Sequence, residues 1–218
     1  MKIRKLDLAN RKIIPLFPSL LFQDSSVNEF NEVKDGLIEY AYKQREEDNT
    51  NKVVSNRGGW QTPTGKTKFF YDESFQPYLR GFSGRMKEYV DCLDYDLDKG
   101  RDVFLESMWF NINGKGCYNV SHHHPSATLA GVLWLKAPKN CGQLVFESSN
   151  EFAEYDLMSV QKPYMVDNYL ACAAYRINPE EGMMTVFPSH LRHGVEINNS
   201  EEDRISLAFN IQFRYIDG

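Results

Sequence analysis

The chain has 218 residues, with 25 Lys and Arg against 30 Asp and Glu, a formal charge of −5. This length fits one domain or at most two very small ones, and the acidic balance leaves no basic footprint for nucleic acid or anionic lipid. With 42% hydrophobic residues but no run of 18 apolar residues, the composition suits an ordinary core and no membrane span. The opening MKIRKLDLANRKIIPLF lacks the apolar stretch and cleavage site of a signal peptide. Cys92, Cys117, Cys141 and Cys172 show no CxxC spacing. Free thiols in a reducing, cytoplasmic compartment are therefore expected.

No repeat, low-complexity tract or linker divides the chain, which reads as one domain over 1–218. Its front, 1–100, is expected to be helical and its back, 101–218, β-rich. Val27, Phe30, Val33, Leu37 and Ala41 recur at helical spacing and predict a helix over 26–47, with Ser25 or Ser26 as its cap. Phe75, Leu79, Phe82, Met86, Tyr89 and Leu93 predict a second over 73–93, with Pro77 tolerated in its first turn. The stretch 56–62 holds Gly58-Gly59 and Trp60, and Trp60 reads equally as a substrate contact or a core plug.

Beyond residue 101 the period becomes strand-like. Residues 104–112 alternate, and 129–135 is continuously apolar, as in a strand buried on both faces. Strands are predicted at 143–147, 182–188, 194–198 and 204–215, with turns at 139–142, 179–182 and 198–203. Such a succession suggests a β-sandwich or double-sheet jelly roll. The connection 148–181, with Tyr155, Tyr164, Tyr169 and Tyr175, is long enough to act as a lid.

All five histidines lie in two clusters, His122-His123-His124 and His190 with His193. Composition alone leaves metal binding and acid–base chemistry open. On an extended segment His122 and His124 share a face while His123 points away. A convergent imidazole pair at a strand end begins a first-row metal site. The later cluster, at the exit of another apolar strand, can add one more imidazole. His123 and His190 read as supporting or surface residues. Eleven residues beyond His193, Arg204, Ser206, Ala208 and Asn210 share one face of a strand. An inward-facing arginine needs an anionic partner. A ligand carboxylate gripped by Arg204 and Ser206 would serve, and so would a local acid, Asp203 or Glu202.

In this order, the His-x-His pair, the distal histidine and Arg-x-Ser resemble the Fe(II)- and 2-oxoglutarate-dependent oxygenases. More narrowly, the chain resembles a bacterial and phage-encoded branch of them. The matching segments are 16–19, 55–61, 119–125, 129–135, 187–193 and 204–210. The resemblance implies a double-stranded β-helix, a jelly roll of the cupin kind, with supporting N-terminal helices. It implies Fe(II) on His122, His124 and His193, and Arg204 and Ser206 on the distal carboxylate of 2-oxoglutarate. The implied activity is that of a dioxygenase, in its hydroxylase form. It would couple oxidative decarboxylation of 2-oxoglutarate to C–H oxidation of a peptide or small-molecule substrate, with dioxygen as co-reactant.

One departure stands out. The superfamily's common first motif is His-x-Asp or His-x-Glu. Here His124 takes that place, either as a third imidazole ligand or as a support that leaves a position open. Asn111 can hydrogen-bond cosubstrate or substrate, whereas Asn113-Gly114 suits a turn. Two rivals remain: a cupin-type metal enzyme that does not use 2-oxoglutarate, and an inactive jelly-roll binding module. The first lacks the acid expected shortly after His124 and leaves Arg204 without a role. Oligomeric state is not encoded in any readable pattern.

Overall fold

The computed structural model describes residues 19–25, 28–50, 54–93, 101–149 and 173–215. Two helices, α1 (Asn28–Glu46) and α2 (Arg80–Cys92), lie against a sandwich of two antiparallel sheets. The strands are β1 (Phe22–Asp24), β2 (Asn56–Arg57), β3 (Trp60–Gln61), β4 (Arg101–Asn113), β5 (Tyr118–His122), β6 (Leu129–Lys136), β7 (Leu144–Glu147), β8 (Ala174–Ile177), β9 (Met184–Pro188), β10 (His193–Val195) and β11 (Arg204–Tyr215). The major sheet has the order β1-β9-β6-β11-β4-β3, and the minor sheet β2-β5-β10-β7-β8. This is the double-stranded β-helix arrangement, with few helices and a dominant sheet pair.

Alternation along the strands separates two cores. One face of the major sheet carries Phe110, Ile112, Leu133, Val186, Leu207 and Phe209 and packs against Phe30, Leu37 and Ala41 of α1 and Met86, Tyr89 and Val90 of α2. The other face carries Ala130, Val132, Trp134 and Phe187 and meets Leu144 and Phe146 of the minor sheet. Strand β6 supplies both cores, so all but its last residue is buried, as its unbroken apolar run predicts. Gly131 stands in register with Phe209, and a Cβ there would lie 2.2 Å from that ring. The space it leaves lets Phe209 meet Phe82 of α2 edge-on at 4.5 Å.

The second helix begins later than the spacing predicts. The chain over 69–79 forms the 3₁₀ turns Phe69–Tyr71 and Gln76–Leu79 before α2 starts at Arg80. Pro77 supplies no N–H and disfavours helical geometry at the residue before it. Phe69 and Phe75, 4.8 Å apart and edge to face, are drawn instead into an aromatic cluster with Tyr40 and Phe110. Strands β1, β2, β3 and β8 have no counterpart in the sequence reading, because runs of two to four residues without a flanking motif carry too little periodicity, whereas β5 takes up the extended segment that leads into the first histidine cluster. Much of the proposed lid, with Tyr155, Tyr164 and Tyr169, lies outside the described residues, as does Cys172, whereas Tyr175 sits exposed on β8.

Candidate functional site

The minor sheet and the segment that follows β5 bring His122, His124 and His193 together. His122 ends β5 and His193 begins β10, and the two are directly paired across the minor sheet. His124 follows two residues after His122, its backbone N–H held by Ser189 O at 3.0 Å. One ring nitrogen from each of the three lies within 4.8 Å of the others. The ring centroids are 4.4, 5.0 and 5.1 Å apart. Among the described residues this is the one group of three or more His, Cys, Asp or Glu side chains able to hold a metal ion. His123 and His190 are exposed and stand outside it.

Hydrogen bonding decides which nitrogen each ring offers. His122 Nδ1 donates to Val120 O at 2.8 Å and His193 Nδ1 to Leu191 O at 2.9 Å. A carbonyl only accepts, so each neutral ring carries its proton on Nδ1 and its lone pair on Nε2. His124 Nδ1 instead meets Asn210 Oδ1 at 2.6 Å, and its Nε2 is buried without a partner. All three rings are held neutral. Burial, then the neighbouring His122, lowers the pKa of His193 to about 3. Burial lowers that of His124 to about 4, the Asn210 bond opposing it, and burial lowers that of His122 as well. Three neutral imidazoles with free lone pairs are the donor set of a divalent first-row metal. Phe187 packs edge-on against His193 at 4.6 Å, and Trp109 lies 5.6 Å from His124, giving the cluster apolar walls.

Arg204 opens β11 and is 1% exposed. Its Nη1 donates to Cys141 O and to Glu196 O, while its buried Nη2 has no partner. Burial lowers its pKa to about 10, which leaves it charged at neutral pH. The two local acids are engaged elsewhere. Asp203 accepts from the Tyr42 hydroxyl at 2.9 Å and stands 3.7 Å from Arg45, and Glu202 pairs with Lys136 at 2.9 Å. Among the described residues no carboxylate pairs with Arg204. A buried guanidinium with one end anchored on carbonyls and the other unspent fits an incoming carboxylate.

The strand registers extend this polar surface. Asn111 faces Ser206 across β4–β11, Ser206 faces Trp134 across β11–β6, and Gln61 faces Asn111 across β3–β4. Asn111 Oδ1, Trp134 Nε1, Gln61 Oε1 and Thr185 Oγ1 are all buried without partners. Native interiors satisfy nearly all such groups. A shortage along one sheet face beside Arg204 and the histidines matches the place of a small polar ligand. Asn113 lies elsewhere in function: it ends β4, and its amide donates to Asn56 Oδ1 at 2.9 Å inside a buried asparagine network.

Trp60 falls on the other face. It pairs with Ile112, packs against the helix-side core, and donates its indole N–H to Asp48 Oδ2 at 2.9 Å. Gln61, next to it, is on the polar face. The sequence reading missed Gln61, Trp134 and the Asn210 contact. For Asn210 the signal was present, since it shares strand parity with Arg204 and Ser206. For Gln61 a strand of two residues offers none.

A family model described as "Putative 2OG-Fe(II) oxygenase" matches residues 107–210, a span that contains all three histidines, Arg204 and Ser206. A prolyl-4-hydroxylase from Pseudomonas putida is similar in structure, with TM-score 0.52 and 15% identity over 88% of this chain and 92% of that one. The non-haem alpha-ketoglutarate-dependent epimerase SnoN from nogalamycin biosynthesis is similar with TM-score 0.60 and 12% identity over 89% and 79%. HygX from Streptomyces hygroscopicus, solved with nickel and 2-oxoglutarate bound, gives TM-score 0.55 and 12% identity over 89% and 83%. At these identities the likeness is one of fold. No curated protein matches the sequence. No described helix is long and apolar enough to cross a membrane.

Proposed function

We propose that the chain is a 2OG-Fe(II) oxygenase, an enzyme that uses Fe(II), 2-oxoglutarate and dioxygen, and that it acts as a hydroxylase of a peptide or small-molecule substrate; the family model over residues 107–210 and the shared fold support this reading. In this reading His122, His124 and His193 hold Fe(II) through Nε2. The observation that carries it is the buried Nη2 of Arg204, left without a partner on the sheet face that leads to the three histidines.

Arg204 grips the distal carboxylate of 2-oxoglutarate, with the Ser206 hydroxyl as a further donor. Asn111, beside Ser206, offers its amide to the same ligand. When bound, iron and cosubstrate supply dioxygen activation, coupled to oxidative decarboxylation of 2-oxoglutarate to succinate and CO₂. The chain contributes orientation and exclusion of water. Arg204 anchors one end of the cosubstrate, the three imidazoles fix the metal, and Phe187 and Trp109 keep the surroundings apolar.

We also read 1–218 as a single functional domain, with 1–100 as support and substrate wall and 101–218 as the catalytic core. The free thiols of Cys92, Cys117 and Cys141 accord with a reducing, cytoplasmic setting.

Anaerobic addition of Fe(II) and 2-oxoglutarate tests the proposal. A weak visible metal-to-ligand charge-transfer band is expected with wild type, lost in H193A and strongly diminished in R204A. Absence of the band in wild type, or its survival unchanged in R204A, overturns the assignment. The two rivals fail the same test differently. A cupin without need of the cosubstrate binds metal but not 2-oxoglutarate, and a binding module retains neither.

A further inference from the structure

His124 is held differently from its two companions. His122 and His193 each anchor Nδ1 on the backbone carbonyl two residues earlier, Val120 and Leu191. A carbonyl cannot donate, so the chain itself dictates the tautomer of those rings. His124 lies beyond the end of β5 and takes its Nδ1 partner from a different strand and from a side chain, Asn210 Oδ1 of β11. Asn210 is fixed in the ladder, paired with Ser107 on β4 and Ala130 on β6. Its amide therefore sits on a rigid element, as an orienting group requires.

We propose that Asn210 is a positioning residue that keeps the proton of His124 on Nδ1 and presents its Nε2 lone pair to the metal. The inference rests on the reading of His124 as an iron ligand and deepens it. An amide can turn either end toward the ring. With the oxygen toward Nδ1, the ring donates there and Nε2 is free to ligate, which is the arrangement observed. With the amide N–H toward Nδ1, Nε2 would carry the proton and could not bind a metal. At this position the site thus keeps a neutral second partner behind a neutral ligand. Where a metal site has a carboxylate behind a histidine, that partner makes the ligand more basic.

The difference between amide and carboxylate supplies the test. A leucine at 210 keeps the branched shape, in a larger side chain, and removes the acceptor. An aspartate can only accept, so it permits the ligating tautomer alone. Co(II) is the probe, titrated into the full chain and followed by its visible ligand-field absorption. Asn210→Leu is expected to bind Co(II) roughly 10–100-fold more weakly than wild type. Asn210→Asp is expected to bind at least as tightly as wild type. In an H124A background, Asn210→Leu should add no further loss, because its effect runs through that ring.

The outcomes separate cleanly. If wild type binds no Co(II), the metal-site reading fails. If wild type binds and Asn210→Leu binds equally well, or its loss persists undiminished beside H124A, the role of Asn210 is overturned while the metal site stands. Should Asn210→Leu not fold, Asn210→Asp decides: binding 10-fold weaker than wild type overturns the proposal, and binding equal or tighter upholds it.

Discussion

Asp203 and Arg204 are adjacent in the chain and do not serve each other. Asp203 accepts from Tyr42 of α1 and lies near Arg45, whereas Arg204 is buried against Cys141 O and Glu196 O with Nη2 unpaired. One residue ties the helix to the sheet and the next serves the interior. Replacing them should therefore have opposite signatures. Asp203→Asn should cost about 0.5–1.5 kcal/mol of stability and leave 2-oxoglutarate affinity within about twofold. Arg204→Ala should weaken 2-oxoglutarate binding roughly 100-fold or more, since a charge-assisted pair in a buried site is lost. Arg204→Lys should rescue little, because a point charge does not reproduce the planar fork. Calorimetric titration of the Mn(II)-loaded protein checks all three. Equal losses from Asp203→Asn and Arg204→Ala would show that the two residues act together after all.

Gly142 shapes the turn that anchors Arg204. Its φ is +86°, and a Cβ there would lie 2.4 Å from Glu196 O, one of the two carbonyls that receive Nη1. Only glycine allows the 139–142 turn to approach the Glu196 backbone, just beyond β10, so closely. Gly142→Ala should destabilise the fold by about 1–3 kcal/mol, read as a lowered urea midpoint. It should also weaken 2-oxoglutarate binding, because Cys141 O and Glu196 O no longer hold Arg204 in place. A variant with lowered stability and unaltered cosubstrate affinity would detach the turn from the site.

Much of this site was legible from side-chain parity alone. The His122 and His124 spacing, and the shared face of Arg204, Ser206 and Asn210, follow from a two-residue period; the structure brings His122, His124 and His193 together and sets Asn210 of that face against His124. Trp60 shows where parity fails. A two-residue strand has no pattern to reveal which side it presents, so Trp60 and Gln61 could not be sorted until β4 supplied the register. The start of α2 was misplaced because hydrophobic spacing through 75–79 fits a helix and a 3₁₀ turn alike, and Pro77 with the aromatic cluster selects the turn. The partnerless polar atoms are a property of packing and are written in no motif.

The three imidazoles make the metal-free protein sensitive to acid. An unfolded histidine titrates near pH 6.5, whereas in the fold His193 and His124 are lowered to about 3 and about 4 by burial. Above about pH 6.5 both states leave them neutral and the rings contribute no pH dependence. Below it the unfolded chain takes up protons that the folded chain refuses, so stability falls as pH drops towards about 4 and then about 3. The urea midpoint of the apoprotein should therefore decline between about pH 6.5 and 5, before carboxylates titrate. The slope should be smaller in H124Q/H193Q, which has lost two of the groups. Identical slopes in wild type and variant would refute the assignment of the acid sensitivity to these rings.

Charge within the site makes metal and cosubstrate depend on each other. The three rings are neutral, Asn210 behind His124 is neutral, and Arg204 is cationic, while among the described residues no carboxylate belongs to the histidine cluster. A divalent cation entering alone meets no compensating anion and a buried guanidinium on the same sheet face. The dianion of 2-oxoglutarate compensates both. Binding should consequently be cooperative, with 2-oxoglutarate tightening Mn(II) or Fe(II) by roughly 5–150-fold and the metal tightening 2-oxoglutarate by the same factor. His124→Asp, which places a carboxylate in the cluster, should raise metal affinity in the absence of cosubstrate and reduce that factor. Metal titrations with and without 2-oxoglutarate, in wild type and in His124→Asp, measure it directly. If the factor is near one in wild type, or is unchanged by the added carboxylate, charge compensation is not what couples the two ligands.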